Sequence, residues 1–292
     1  VLAYHRVGAP RFDPWRIALT EGEFDGQLAA LAHVGRFVRV SDELDRTSVA
    51  RLADRSRRFG ITFDDGYSDN LHQALPILER HGAPATIFVA SGYLDQPSFW
   101  WDRLAADVLG SSDSDVQTSA AVDEIIGGQP ESSSARSAVL ARAWDHMSVL
   151  EHEEIEPLLT RLEERIGRFP LDREERPLSS RELLELAEHP LISIGVHTSH
   201  HRRLVELPEA DQQSEMAGCL DDLNGRIGAS DRLLAYPYGS QNAQTALVAK
   251  RSGFRFGFSV EPGWISVFDK PLRLPRFDPR SEQQINTVLT VA

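Results

Sequence analysis

The sequence has a single cysteine, Cys219, so no disulfide can form within the chain. A lone free thiol fits a reducing compartment. Cys219 lies in a stretch of helical character and reads as a small, semi-buried residue rather than a nucleophile. One cysteine also cannot build a zinc–thiolate site. No run of about 18 apolar residues occurs, so no membrane-spanning helix is expected. No secretory signal is visible. The visible chain therefore leads to the expectation of a cytoplasmic protein. Because the first residue is Val1 and not Met, an exported or envelope location stays open.

Positive charge is also in short supply. Lys and Arg number 31 against 44 Asp and Glu, a formal net charge of −13. Phosphate backbones recruit basic surfaces, so nucleic acid is not an expected partner. Anionic lipid is disfavoured for the same reason. The chain has no internal repeat and no linker that would divide it.

What remains is a soluble globular composition, 41% hydrophobic and 26% charged over 292 residues,. That length suits one α/β barrel or two small domains. Apolar runs at Val1–His5, Phe37–Val40, Phe59–Phe63, Ala85–Ala90, Leu191–Val196, Leu233–Tyr236 and Phe254–Val260 read as strands. Helices are expected over Thr20–Val34, opened by the capping box Thr20/Glu23 and stopped at Gly35, and over Asn70–His81, with Pro76 bending or restarting it. Further helices are expected over Ser180–Glu188, Pro208–Ile227 and Gln244–Ser252. Such alternation points to parallel β/α architecture. Ser111–Ser134, rich in Ser, Asp and Gly, reads as an exposed insertion. Ala135–Ile166 reads as charged helix with Leu150, Ile155, Leu158, Leu159 and Leu162 on its apolar side.

Three polar sets follow expected strands. Thr62-Phe63-Asp64-Asp65-Gly66 places adjacent carboxylates at a strand end. One could bind a cation while its neighbour accepts a proton, or the pair could be an acidic turn that caps the next helix. His197-Thr198-Ser199-His200-His201 has the H-x3-H separation found among zinc ligands, with His200 facing elsewhere; a His-rich surface turn is the plainer alternative. Tyr236-Pro237-Tyr238-Gly239 is a tight turn able to offer a backbone N–H to an oxyanion, and by itself is a common loop. All three lie at carboxyl ends of parallel strands, where β/α barrels carry their active sites.

On the stretches TFDDGYSDN from Thr62, HTSHH from His197 and YPYG from Tyr236, the chain resembles the polysaccharide deacetylases, also called the NodB-homology or carbohydrate esterase family 4 group. The segment ALPILERHGAPATIFVASGYL adds a milder likeness. The resemblance implies a distorted (β/α)7 barrel, here one domain over residues 1–292 with a helical insertion at about 105–178. It implies one divalent metal ion held by Asp65, His197 and His201. Zinc is the expected ion by ligand type, and nickel, cobalt or iron would accept the same donors. It further implies Asp64 as general base, the Tyr238 N–H as oxyanion donor, and a carbohydrate substrate that loses N-acetyl groups as acetate. Other amides, O-acetyl esters, or a barrel that binds sugar without turnover are the alternatives.

The chain departs from the family pattern at three points. Ala235 stands where an Arg often orients the base, Arg202 where a Pro often follows the second His, and the C-terminal Leu-His that supplies the general acid is missing. Tyr4-His5-Arg6-Val7 resembles the start of the circularly permuted, poly-N-acetylglucosamine deacetylase branch. His5 is therefore the candidate acid. Arg276 is a candidate to replace the missing Arg by pairing with Asp64, or else to form an ordinary salt bridge, and it is grouped with Trp100, Trp101 and Tyr236 as candidate substrate-binding residues. Phe99, Asp13 and Trp15 raise the same question of aromatic or polar contact with a sugar.

Overall fold

The computed structural model describes residues 1–46, 56–128, 135–172 and 175–290. These form two compact units. The first comprises Val1–Ala9, Ile17–Asp95 and Pro177–Ala292, and the second Pro10–Arg16 and Gln96–Arg176.

The first unit is built on a parallel sheet. Its strands are β1 (Leu2–Tyr4), β6 (Ile61–Phe63), β7 (Ala85–Val89), β8 (Ile192–Val196), β9 (Leu233–Ala235) and β10 (Phe256–Phe258), adjacent in that order. Two short parallel pairs lie outside it: β2 (Arg6–Val7) with β3 (Ala18–Leu19), and β4 (Arg36–Phe37) with β5 (Arg58–Phe59). Apart from Phe256 at the edge, the sheet strands are buried along their whole length, as expected for parallel strands covered on both faces,.

The sheet's two edges are joined by the segment Pro271–Phe277. On one side Leu274 N–H donates to Gly257 O (2.8 Å) and Ser259 N–H to Leu274 O (2.9 Å). On the other, Phe277 N–H donates to Val1 O and Ala3 N–H to Phe277 O, both at 2.9 Å. This segment fills the seventh position of a NodB-type barrel. It makes single bridges rather than a regular strand, because Pro271 and Pro275 have no N–H to give a ladder.

Local sequence explains the elements around the sheet. Helix Glu21–Val34 starts at the Thr20/Glu23 capping box and buries Phe24, Leu28 and Leu31 at helical spacing,. The expected strand Phe37–Val40 is shorter: only Arg36–Phe37 pairs, and Val40 opens a helix, Val40–Asp45, that buries Val40 and Leu44. The expected strand Phe59–Phe63 divides at Gly60, where the chain leaves one sheet and joins the other. The expected helix Asn70–His81 begins as a π-turn, Asn70–Ala74, with Leu75 N–H donating to Asn70 O. An α-helix, Leu75–His81, then carries Pro76 in its first turn and ends at the left-handed Gly82 (φ 55°),.

The second unit holds the helices Trp100–Gly110, Asp115–Ile126, Arg136–Met147 and His152–Ile166. Asp115–Ile126 corrects the reading of Ser111–Ser134 as an exposed insertion. Ser114 and Gln117 form a capping box, and Ala121, Val122 and Ile125 are buried. Serine and aspartate in that stretch serve as cap and polar face, which composition alone cannot distinguish from loop. Residues 129–134 of that reading lie outside the described residues.

Candidate active site

The site is assembled from the carboxyl ends of β1, β6, β8 and β9 and from the closing segment. After β6 the chain makes a tight turn. Gly66 N–H donates to Asp64 O (2.9 Å), and both Asp65 (φ 72°) and Gly66 (φ 86°) are left-handed. That backbone turns two consecutive carboxylates in different directions. A positive φ at Asp65 is unusual for a residue with a Cβ, although Asp tolerates it best, and such outliers cluster at functional sites.

Asp64 faces Arg276. The guanidinium forms a two-pronged pair with it: Nη1 to Oδ1 and Nη2 to Oδ2, both at 2.7 Å. Arg276 is 1% exposed, and its other donors go to Ser259 O (3.1 Å) and Thr62 Oγ1 (3.1 Å). Burial works against the Asp64 carboxylate, but the charges of Arg276 and His197 outweigh it and hold the pKa below the usual value,. Each guanidinium nitrogen of Arg276 is thus engaged inside the protein. Its reading as a substrate-binding residue is corrected: its guanidinium is taken up by Asp64, the pairing the sequence also offered.

Asp65 faces two imidazoles. Its Oδ1 lies 3.3 Å from His197 Nε2 and 3.2 Å from His201 Nε2. One ligand atom from each of the three residues falls within 4.8 Å of the others. His197 Nδ1 sits 2.8 Å from the carbonyl oxygen of Ala235. A carbonyl only accepts, so Nδ1 carries a proton, and in the neutral ring Nε2 turns its lone pair toward Asp65,. Asp65 Oδ1 is buried and makes no hydrogen bond of acceptable geometry. A buried carboxylate oxygen this close to two imidazole nitrogens is met by a ring proton or by a cation held between them, and two nitrogens with one oxygen suit a divalent transition metal,. The residues therefore fit the group that the resemblance implies. Burial disfavours charge on both rings. At His197 the carboxylates of Asp65 and Asp64 outweigh it and raise the pKa, whereas at His201 burial prevails and lowers it.

His5 follows β1. Its Nδ1 is buried without a hydrogen-bond partner. Burial lowers its pKa despite the opposing pull of Asp65 and Asp64. Its backbone is tied to the tail of the TFDDGYSDN stretch, since Asn70 Nδ2 donates to His5 O (2.9 Å). The next residue, Arg6, pairs with buried Asp69 at 2.9 Å. Burial raises the Asp69 pKa to about 6, against the opposing charge of Arg6. Asp69 and Asn70 were not singled out from sequence, although the quoted stretch contains both.

Tyr238 occupies a left-handed position (φ 58°) in the turn Pro237–Gly239. Its ring meets His201 edge to face at 4.6 Å, and Arg203 lies over it at 5.1 Å. Tyr236 is corrected as a substrate-binding residue. It is fully buried, and its hydroxyl donates to Leu272 O at 2.9 Å, pinning the closing segment. Trp100 and Trp101 are corrected likewise. They are 6% and 5% exposed, and Trp101 stacks on Phe99 at 4.5 Å and meets Trp100 edge-on at 5.7 Å. Neither ring face is open to a sugar. Trp15 packs against Trp144 (5.4 Å). His200 points away from the ligands, toward Glu215 (3.0 Å).

The sequence profile of the polysaccharide deacetylases matches residues 52–127 and 133–257. The chain belongs to the polysaccharide deacetylase family. Asp64, Asp65, His197, His201 and Tyr238 fall inside the matched segments, and His5 and Arg276 fall outside them. YxkH of Bacillus subtilis (strain 168), named as a polysaccharide deacetylase, is 25% identical over 203 residues. That match covers 70% of this chain and 44% of the length of YxkH. Among solved structures, IcaB from Ammonifex degensii superposes with a TM-score of 0.62 at 20% identity, covering 100% of this chain and 96% of that one. Streptococcus pyogenes deacetylase PplD, solved with acetate, gives 0.60 at 19% identity over 97% and 96%. At these identities the likeness establishes the fold.

Proposed function

We propose that the chain is a metal-dependent hydrolase that removes N-acetyl groups from an amino sugar or its polymer. The observation that carries this reading is the division of labour between adjacent carboxylates: Asp65 converges with His197 and His201, and Asp64 is held ionised by Arg276.

Asp65, His197 and His201 would hold the ion. When bound, a divalent cation supplies Lewis acidity at an acyl oxygen and lowers the pKa of water. Asp64, ionised and fixed by the Arg276 fork, takes the proton from the attacking water as that water adds to the acetamide carbon. The Tyr238 N–H donates to the oxygen that gains charge. His5 gives a proton to the departing nitrogen, since an amine leaves poorly without one. The carbon–nitrogen bond breaks, and acetate and a free amino sugar result. Buried and desolvated carboxylates and imidazoles act more strongly here than in water.

The test is acetate release from N-acetylglucosamine oligomers by the zinc-loaded protein, with Asp64→Asn and a chelated sample alongside. Release that needs both zinc and Asp64 is expected. Release only from O-acetylated sugars would move the reaction to an ester. Oligomer binding without release from any acylated sugar would mean a carbohydrate-binding barrel.

A further inference from the structure

The turn that carries both imidazoles is strained. Thr198 (φ 65°) and His201 (φ 57°) are left-handed residues with side chains, the first of them β-branched,. Such backbone persists only where surrounding contacts determine it. Within the turn, His201 N–H donates to Thr198 Oγ1 (3.0 Å), and Tyr93 Oη reaches His200 O (3.4 Å); the contacts from Ser199 and the His200 N–H and ring meet on one residue of the helix Glu209–Ile227. Ser199 N–H donates to the carbonyl oxygen of Glu215 (3.0 Å), and Ser199 Oγ reaches the same oxygen (3.3 Å). The Glu215 carboxylate takes His200 N–H on one oxygen (2.8 Å) and His200 Nδ1 on the other (3.0 Å). Glu215 is itself buried. The far side of the turn is closed by Gly92, whose N–H donates to Ser199 O (2.8 Å). A Cβ at Gly92 would stand 2.7 Å from the His200 ring. His200, between the two candidate ligands, is thereby clamped from both sides.

We propose that Glu215 is a positioning residue for the metal centre. Its carboxylate holds the His197–His201 turn in the strained form that aims both Nε2 atoms at Asp65. The inference rests on the metal reading above. Without the carboxylate, His200 loses both side-chain contacts to the helix, Thr198 and His201 relax toward ordinary backbone, and the ligand set opens. Losing such an outer partner costs about 10- to 100-fold in metal affinity. The backbone carbonyl of Glu215 remains in every variant, so the test isolates the side chain.

Zinc would be titrated against a chromophoric chelator in the wild type, Glu215→Ala, Glu215→Gln and His200→Ala. Amide exchange over 197–201 would be measured in each after chelation. Glu215→Ala is expected to bind zinc about 10- to 100-fold more weakly and to exchange faster in the turn, with β7 and β9 unchanged. Glu215→Gln, which keeps an acceptor for His200 N–H, should recover most of the affinity. His200→Ala, which loses one contact of the two, should fall between. Wild-type affinity and exchange in Glu215→Ala would overturn the role of Glu215 alone, as would a uniform rise in exchange across the barrel. If Glu215→Ala does not fold, unchanged affinity in His200→Ala decides against it. A wild type that takes up no zinc would sink the metal reading and this inference together.

Discussion

Arg276 grips both carboxylate oxygens of Asp64 at 2.7 Å, from 212 positions away in sequence. The fork is buried, and its partner is the proposed base. Burial alone would raise the Asp64 pKa, and the guanidinium reverses that,. The native carboxyl therefore lies below its unfolded value. The stability this contributes is fully present above the ordinary carboxylate range and is lost as pH falls through the lowered pKa. Replacing Arg276 by Met leaves a buried, unpaired carboxylate. The acid limb of kcat/KM should then move to higher pH by at least about one unit, with a stability loss of about 3–5 kcal/mol. Arg276→Lys, a charge without the fork, should shift the limb less. An acid limb unmoved in a folded Arg276→Met would separate Arg276 from the base.

Asp64 and Asp65 are neighbours with opposite expected phenotypes. Asp64→Asn should keep zinc and lose about 10²- to 10⁴-fold in turnover, the usual worth of a positioned base. Asp65→Ala, His197→Ala and His201→Ala should lose zinc and turnover together. Metal analysis after dialysis, beside acetate release, distinguishes the two classes. Near-normal turnover in zinc-bound Asp64→Asn would remove Asp64 as the base.

How much of this could be read from the sequence follows from the range of the forces involved. Helix Glu21–Val34 was legible because its cap and apolar spacing are local. The clusters after β6, β8 and β9 were legible because residue types and strand ends lie together in the chain. The closing segment was harder to see: prolines break its pattern, and only its hydrogen bonds to Val1, Ala3, Gly257 and Ser259 reveal it. The sequence offered Arg276 as a partner for Asp64 beside an ordinary salt bridge and a substrate role, and the closure decides for Asp64. Tyr236, Trp100 and Trp101 show the reverse error. Large aromatic residues near a motif suggest a sugar platform, but burial is settled by long-range packing. Glu215 carried no sequence signal, because its partners are groups of Ser199 and His200, 16 and 15 positions away.

Tyr236 should behave as a structural residue. Tyr236→Phe removes the hydroxyl that donates to Leu272 O and leaves that carbonyl without this donor. A stability loss of about 1–3 kcal/mol is expected, with KM changed less than about twofold, since a ΔΔG well under 1 kcal/mol in binding corresponds to that ratio. Denaturant unfolding and steady-state kinetics on the same preparation check both numbers. A large rise in KM without a loss of stability would return Tyr236 to the substrate.

Metal removal gives the remaining test, and its direction follows from linkage. Asp65, His197 and His201 meet only in the folded chain, so zinc held by them would bind the native state and not the unfolded one,. At 100 times its dissociation constant, zinc should add about 2.7 kcal/mol. For a chain of this size that corresponds to a Tm increase of roughly 4–5 °C. A chelator should reverse the gain, and Asp65→Ala should show none. Metal ligation needs unprotonated imidazole and ionised carboxylate, so the gain should shrink as pH is lowered. Calorimetry with and without zinc, in wild type and Asp65→Ala, reads all of these. An equal increase in both proteins would place the ion somewhere other than the Asp65–His197–His201 cluster.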